Sequence, residues 1–442
     1  MADGEGIPST STSRCRAILR AIFDAAVVAA HPAQFLSPAL PPPPENGRLI
    51  LLAAGKAAGS MVTAAEAHYL DHVGIGRDQL LGHGVTRVGY ACPTRAIPLI
   101  EAGHPIPDEA SVEAGAQALS LARIAGANDM VLVLLSGGAS ANWLAPAGAL
   151  TLADKRAITR GLLRSGAPID EMNVVRKHLS LIKGGRLAQA AWPAPLVTLA
   201  VSDVPGDDPS AIGSGPTVPD ISTLADARAI VAHYRLALPA SAVSLLDDPS
   251  METPKPGDAV FARSEFRILA RPIDALKAAA HSAGAAGYRP LILGADIQGE
   301  ARAIAARHAA LAVEAANGGE RIAIISGGEL TVTLKGNGKG GPNQEYALAL
   351  ALALQGHPAI SALAGDTDGT DGGGGLPSDP AGALIFPDTL ARAQAAGVDA
   401  ARHLADNDST SFFARLGDLL TPGPTLTNVN DCRVILIEPK PT

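Results

Sequence analysis

"MVLVLLSGG" runs from Met130 to Gly138. Six consecutive apolar residues leave no polar face for solvent, and two glycines stop the run. A strand buried on both faces reads this way, and such strands belong to a parallel sheet covered by helices on either side. The neighbouring sequence repeats the pattern. "RLILLAA" (48–54) and "LVTLAVSD" (196–203) are further short apolar strands, and "QLLGHGVTRVGY" and "IPLIEAG" hold two more. Between them lie helical stretches: "GKAAGSMVTAAEAHYL", the amphipathic 108–126, about 151–165 and about 170–190. Strands alternating with helices predict an α/β fold, Rossmann-like in this half. Ligands of such sheets bind beyond the carboxyl ends of the strands.

A second α/β pattern follows an irregular stretch at about 238–262, read as a linker or an irregular edge. "FRILA", "RPLILGA" and "RIAIISGG" are its strands, with helices at about 273–286 and over "IQGEARAIAARHAALAVEAANG". The expected organisation is a domain over 13–238, including a helix at 13–30, and a smaller mixed-sheet domain over 239–442. Residues 1–12 read as disordered. Ser-Gly-Gly stands just past a buried strand once in each half, at 136–138 and 326–328. This echo predicts two three-layer α/β domains whose strand ends face a shared interdomain cleft.

The 442 residues are 47% hydrophobic, enough for two cores, and only 3% aromatic, so small and branched aliphatic side chains must do the packing. A formal charge of −8 argues against nucleic acid or an anionic membrane as the main partner. Cys15, Cys92 and Cys432 form no C-x-x-C pair, which suits a reducing cytoplasm. No apolar run approaches the ~20 residues that span a bilayer, and the N-terminus lacks an apolar signal core. A cytoplasmic protein is expected. Nothing in the sequence fixes an oligomeric state, a homodimer included.

Several strand ends carry chemistry. Lys56 follows the strand 48–54 directly, where its ammonium can reach an anion; the surrounding "LLAAGKAAGS" is no Walker loop. "NVVRKHLSLIKGGRLA" (173–188) puts Asn173, Arg176, Ser180 and Lys183 on one face of a predicted helix, a basic stripe in an acidic protein. "SDVPGDDPSAIGSGPTVPD" (202–220) places Asp203 at a strand end, suited to Mg²⁺ or to a hydroxyl proton. "AGDTDGTDGGGG" (364–375) does the same with Asp366, as a magnesium contact, a ribose contact or a plain Asp-Gly turn. In "ISGGELTVTLKGNGKGGPNQE" (325–345), Gly336, Gly338 and Gly341 meet the spacing G-x-G-x-x-G, with Asp366 about where the fingerprint wants an acid. Dinucleotide, triphosphate and a structural glycine loop all remain open on that spacing. His68 and His72 read as helix-surface histidines, and Trp143 and Trp192 as packing residues.

Taken together, "LLSGGAS", "NVVRKHLSLIKGGRLA", "SDVPGDDPSAIGSGPTVPD", "GGELTVTLKGNGKGGPNQE", "AGDTDGTDGGGG" and "LADNDSTSFFARLGD…GPTLTNVNDCRVILI" resemble the class II glycerate 2-kinases with a MOFRL-type C-terminal region, here about 320–438. The resemblance implies ATP, Mg²⁺ and D-glycerate, giving 2-phosphoglycerate and ADP. It implies Lys56, Arg176 and Asp203 as catalytic residues. Ser136, Gly137, Gly138, Ser140 and Lys183 would bind substrate or phosphate. Gly327, Gly328, Gly338, Lys339, Gly340, Asn343 and Asp366 would bind nucleotide, with Asp203 and Asp366 on the metal. Members of the family are often labelled hydroxypyruvate reductases, so NAD(P)H-dependent reduction is the rival reading. Two positions depart from the family pattern. Ala139 stands for a glycine of an SGGGS loop, and Pro342 for an arginine of GGRNQE, whose role would fall to Lys339 or Arg176.

Overall fold

A computed structural model describes residues 10–373 and 376–439 and divides into two units. Of residues 1–12, expected to be disordered, 1–9 lie outside the described residues and 10–12 instead open the helix Thr10–Ala30. The first unit comprises His31–Ala270 with Leu426–Asn428. Its sheet has six strands: β1 (Leu49–Ala54), β2 (Leu80–Arg87), β3 (Leu99–Ala102), β4 (Met130–Leu135), β5 (Leu196–Val201) and β6 (Ser264–Ala270). All pairings are parallel and the order is β3-β2-β1-β4-β5-β6. This is the strand order of doubly wound nucleotide folds, and it reverses between β1 and β4. Their carboxyl ends, at Ala54 and Leu135, therefore border the crevice where such sheets hold ligands.

Every residue of β1 and β5 is buried, as the continuous apolar runs predict. The helix Glu109–Arg123 starts on a capping box between Asp108 and Ser111 and lays Ala114, Ala118 and Ala122 into the sheet's core. Methyl-sized side chains let the helix lie close, which is how a chain with few aromatics packs densely. A second apolar cluster joins the helices Leu152–Ser165, Ile169–His178, Leu224–His233 and Ala240–Asp247.

Three expectations change here. The segment 238–262 is neither linker nor edge: it holds the helix Ala240–Asp247, and Ala242, Leu246 and Met251 are core. The strand containing "FRILA" is β6, the last strand of the first sheet, so the division falls after Ala270 and not at 238. The N-terminal helix, Thr10–Ala30, belongs to the other unit, where it packs on the helix Pro272–Ala285 and Arg16 pairs with Asp418. Apolar periodicity says that a face is buried. It does not say which sheet buries it.

The second unit comprises the described residues up to Ala30, Arg271–Thr425 and those from Val429 onward. It contains β7 (Arg289–Gly294), β8 (Gly299–Glu300), β9 (Ile322–Ser326), β10 (Leu330–Thr331), β11 (Ile360–Asp366), β12 (Gly382–Ile385), β13 (Leu419–Leu420) and β14 (Asp431–Ile437). Its main sheet is mixed, in the order β13-β12-β11-β14-β9-β7, with only β7 and β9 parallel. The helices Ala301–Ala316 and Pro342–Leu354 share its core. No helix among the described residues is long and apolar enough to cross a membrane.

Candidate active site

At the crevice of the first sheet, the turns after β1 and β4 are stitched together. The amide of Lys56 donates to Gly137 O at 2.8 Å, that of Ala57 to Ser136 Oγ at 3.0 Å, and that of Ser136 to Ala54 O at 3.0 Å. The Ser136 hydroxyl is thus committed to the loop and positions it, where a ligand contact had been expected. Gly137 has no room for a side chain, because a methyl group there would overlap the Asp203 carboxylate and come 2.6 Å from Asn428 Nδ2. Asp203 lies two residues beyond β5, and Asn428 Nδ2 donates to its Oδ2 at 2.7 Å. Gly138, at φ +87°, passes 3.3 Å (from the position a Cβ would take) from both Lys56 Cγ and His104 Nε2. The glycine pair is therefore the floor on which Lys56, His104, Asp203 and Asn428 converge.

A second constellation adjoins it. Ser140 Oγ accepts from Arg176 Nη2 at 3.2 Å and from Lys183 Nζ at 2.7 Å, and shares a hydrogen bond with Ser214 Oγ at 2.8 Å. The sequence brought Arg176 and Lys183 together on one helix, but the helix ends at His178. Ser180 Oγ then accepts from the amides of Ile182 and Lys183, and Gly184 and Gly185 take left-handed conformations. Lys183 reaches Ser140 from this turn. Burial pulls the Lys183 ammonium well below its ordinary proton affinity, and Arg176, Lys155 and Lys177 add to the effect. Burial also lowers that of Arg176. A cavity of about 310 Å³ is lined by His104, Gly138, Ser140, Arg176 and the apolar Leu162 and Met172. A smaller chamber of about 40 Å³ lies against Lys155, Thr159, Arg176 and Lys183.

The residues expected to hold nucleotide lie in the second unit and are mostly spent on the fold. Gly327 donates to Gly294 O, and Gly328 O accepts from Arg433 Nη2 at 2.9 Å; a methyl at Gly328 would overlap the backbone of Ile297. The G-x-G-x-x-G loop lies against residues 406–409. Asn407 Oδ1 accepts from the amides of Lys335 and Gly336, Asp406 Oδ1 from Asn337, and Asp408 Oδ1 from Lys339. Methyl groups at Gly336, Gly338 and Gly340 would overlap Asp406, Asp408 and Ser409 in turn. The glycines admit a neighbouring loop, and internal acceptors hold the amides of residues 335–339.

The next helix, Pro342–Leu354, offers no phosphate site either. Asp371 accepts from the amides of Asn343 and Gln344 at 2.9 and 2.8 Å. Burial pushes the Asp371 carboxyl up to about 7 even against these donors. Asn343 is buried, with Nδ2 bonded to Asp431 Oδ1 at 2.6 Å. Of the expected nucleotide residues, Lys339 is exposed and Asp366, at the end of β11, is half-buried. Pro342 occupies the first turn of its helix, where a missing N–H costs nothing.

His104 and Lys155 escaped the sequence reading, whereas Ser214 and Asn428 lie in segments that carried the resemblance but were given no role of their own. Lys155 left a trace, since it shares a spacing of three and seven with the buried Ile158 and Leu162. The role of Asn428 left no local signal, because only the tertiary structure brings it to Asp203. His68 Nδ1 lies 2.9 Å from Ser37 Oγ; Trp143 is buried as expected, whereas Trp192 is 40% exposed.

A doubly wound sheet with a lysine, a carboxylate and a cation-lined cavity near its reversal point is built to hold an anionic ligand. Two family models match the chain: "Domain of unknown function (DUF4147)" over residues 18–247 and "MOFRL family" over 322–431. A D-glycerate 2-kinase of Thermotoga maritima is 37% identical over 88% of this chain and 91% of its own. A putative hydroxypyruvate reductase of Agrobacterium vitis is 48% identical over 99% of this chain and 98% of its own. The crystal structure of a glycerate kinase from Thermotoga maritima superposes with a TM-score of 0.82 at 34% identity, over 97% of this chain and all of that one. The chain belongs to the glycerate kinase family built from DUF4147 and MOFRL regions.

Proposed function

We propose that this protein transfers the γ-phosphoryl group of ATP to the 2-hydroxyl of D-glycerate, with Mg²⁺, giving 2-phosphoglycerate and ADP. The observation that carries the reading is the meeting of Lys56 and Asp203 on the Gly137–Gly138 floor. Phosphoryl transfer asks a protein for position and charge more than for covalent chemistry. Asp203 accepts the proton of the C2 hydroxyl as its oxygen bonds to phosphorus and the bond to the ADP oxygen breaks. Asn428 holds one carboxylate oxygen and so orients the other. Lys56 neutralises charge developing on the transferring group, and Arg176 and Lys183 hold the anionic substrate beside it.

Mg²⁺ binds through one or two carboxylates together with phosphate oxygens and water, without a dedicated protein cage. The residues here suit that mode: among those described, no group of three or more ligating side chains gathers, while Asp203 offers a carboxylate at a strand end. When bound, Mg²⁺ would offset charge on the phosphates. Asp366 is a second carboxylate of this kind.

The rival reductase reading draws on the glycine fingerprint, and the amides of that loop are bonded to Asp406, Asn407 and Asp408. Two assays on one preparation separate the readings: ADP release with D-glycerate, and NADH or NADPH consumption with hydroxypyruvate. The kinase reading expects the first alone. Phosphorus NMR of the product then fixes the position, since phosphate on C2 couples to one proton and phosphate on C3 to two. Cofactor consumption without ADP release would end the proposal.

A further inference from the structure

The small chamber beside Ser140 presents an imbalance of charge. Lys155 and Lys183 are only 5% and 2% exposed, and Arg176 completes the wall. Their hydrogen-bond partners are all neutral. Lys155 Nζ donates to Leu179 O at 3.1 Å, Lys183 Nζ to Ser140 O and Oγ at 2.7 Å and to Ser214 Oγ at 3.5 Å, and Arg176 to Ser140 Oγ and Asn173 Oδ1. Among the described residues no carboxylate comes within ion-pair distance of these three cations. The nearby acid Asp220 is taken by Lys177 at 3.2 Å, and Glu252 by Lys255 and His178. Buried cations are ordinarily paired, because a lone buried charge is costly.

We propose that the chamber is the seat of the substrate's carboxylate, held jointly by Lys155, Lys183 and Arg176, which makes Lys155 a binding residue of the site. The size agrees. At roughly 10–15 Å³ per water, the 40 Å³ chamber takes about three waters, the heavy-atom count of a carboxylate. It borders the same Pro105, Ser140, Ala141, Thr159 and Arg176 as the 310 Å³ cavity, so an acid anchored inside projects its hydroxyl-bearing carbons into the larger space. The ligand class is a short 2-hydroxy monocarboxylate. The identity of that acid as glycerate rests on the kinase reading; the anion seat itself does not.

A proton signature follows. Burial, then Arg176, brings the Lys155 ammonium down to about 7, and Lys183 is lowered by burial and by Arg176, Lys155 and Lys177. The chamber without an anion therefore holds fewer protons near pH 8 than ordinary lysines would. An arriving carboxylate favours the charged form of each lysine and draws protons in.

The test is titration calorimetry of the whole protein with D-glycerate, without ATP, at pH 8 in two buffers of different ionisation enthalpy. The wild type should bind with net proton uptake, and glycerol, the same skeleton without a carboxylate, should not bind. Lys155→Met should weaken glycerate about tenfold or more and reduce the uptake. Lys155→Gln is the second variant should the first fail to fold. Absence of glycerate binding, or unchanged affinity and uptake in the Lys155 variants, would overturn the proposal. Binding with uptake but no ADP release would sink the kinase reading and leave the anion seat; ADP release with an unchanged KM in Lys155→Met would do the reverse.

Discussion

Ser136-Gly137-Gly138 and Ser326-Gly327-Gly328 are the same tripeptide at the end of the same kind of buried strand, and the chain uses them differently. Around the first, the space a Cβ would fill belongs to side chains: the Asp203 carboxylate, the Asn428 amide, the His104 ring and the Lys56 stem. Around the second it belongs mostly to backbone, at Ala295, Ile297 and Asp431. Backbone crowding fixes a fold, whereas crowding by a lysine, a histidine and a carboxylate builds a place for chemistry. Glycine count and position along the strand do not distinguish them; what fills the vacated space does.

The sharpest way to break the comparison is to remove the carboxylate it turns on. Asp203→Asn keeps the shape and the contact with Gly137 but cannot take a proton. We expect kcat for D-glycerate to fall about 10²–10⁴-fold with folding intact. Lys56→Ala should cost roughly 10²–10³ in kcat. Near-normal turnover in either variant would take that residue out of the mechanism.

Paired glycine substitutions probe the contrast directly. Gly137→Ala must displace Asp203 or Asn428, both side chains, so the protein should melt close to the wild type while losing kcat by about a hundredfold, the scale of a 1 Å misplacement. Gly328→Ala meets the Ile297 backbone at a positive φ, so it should lower the melting temperature while the folded fraction keeps its kcat. Thermal denaturation and kcat per folded molecule check both. The same pattern in both variants would dissolve the distinction.

Much of the first sheet was legible, because a strand buried on both faces leaves an unbroken apolar run. Lys56 and Asp203 were legible too, since a polar residue directly after such a run must lie at a strand end. Three kinds of information were not local. The sheet that β6 joins depends on which edge is open, which no window of "FRILA" contains. The helix Thr10–Ala30 packs against the helix Pro272–Ala285, more than 240 residues further along the chain. Asn428 reaches Asp203 from a segment flanked by Leu426 and Asn430, both at positive φ, a backbone that only its surroundings impose. The G-x-G-x-x-G spacing stayed open for a related reason: glycine permits close approach by anything, and here residues 406–409 lie against it.

The lysine chamber gives a stability contrast with the opposite sign. Lys155 has a folded proton affinity lowered to about 7, and an unfolded lysine titrates near ~10.4. Between these values the unfolded chain binds the proton and the folded chain does not, so stability falls as pH drops through that window and the full penalty is present below about 7. Lys155→Met should therefore stabilise the protein, by an amount on the order of a few kcal/mol at pH 6, and the gain should vanish above about pH 10.5. Denaturant melts at the two pH values measure it. A destabilised variant at pH 6 would show that Lys155 is held by something other than an anion still to arrive.

The smallest effect is expected in the glycine loop, for which nucleotide binding was one of three open readings. Lys339 is exposed, and its amide is fixed by Asp408 Oδ1 at 3.1 Å. If the glycine loop serves only to receive residues 406–409, Lys339→Ala removes a solvated charge and leaves the amide bond in place. KM for ATP should then change by less than about twofold, the scale of a screened surface charge. Asp408→Ala is the informative partner. It frees the Lys339 amide, unties Ser411 and His403, and should cost stability without tightening or weakening ATP beyond the same margin. A large rise in KM for ATP from Lys339→Ala alone would return the loop to nucleotide binding through its side chain, and the two Ser-Gly-Gly turns would no longer divide chemistry from architecture.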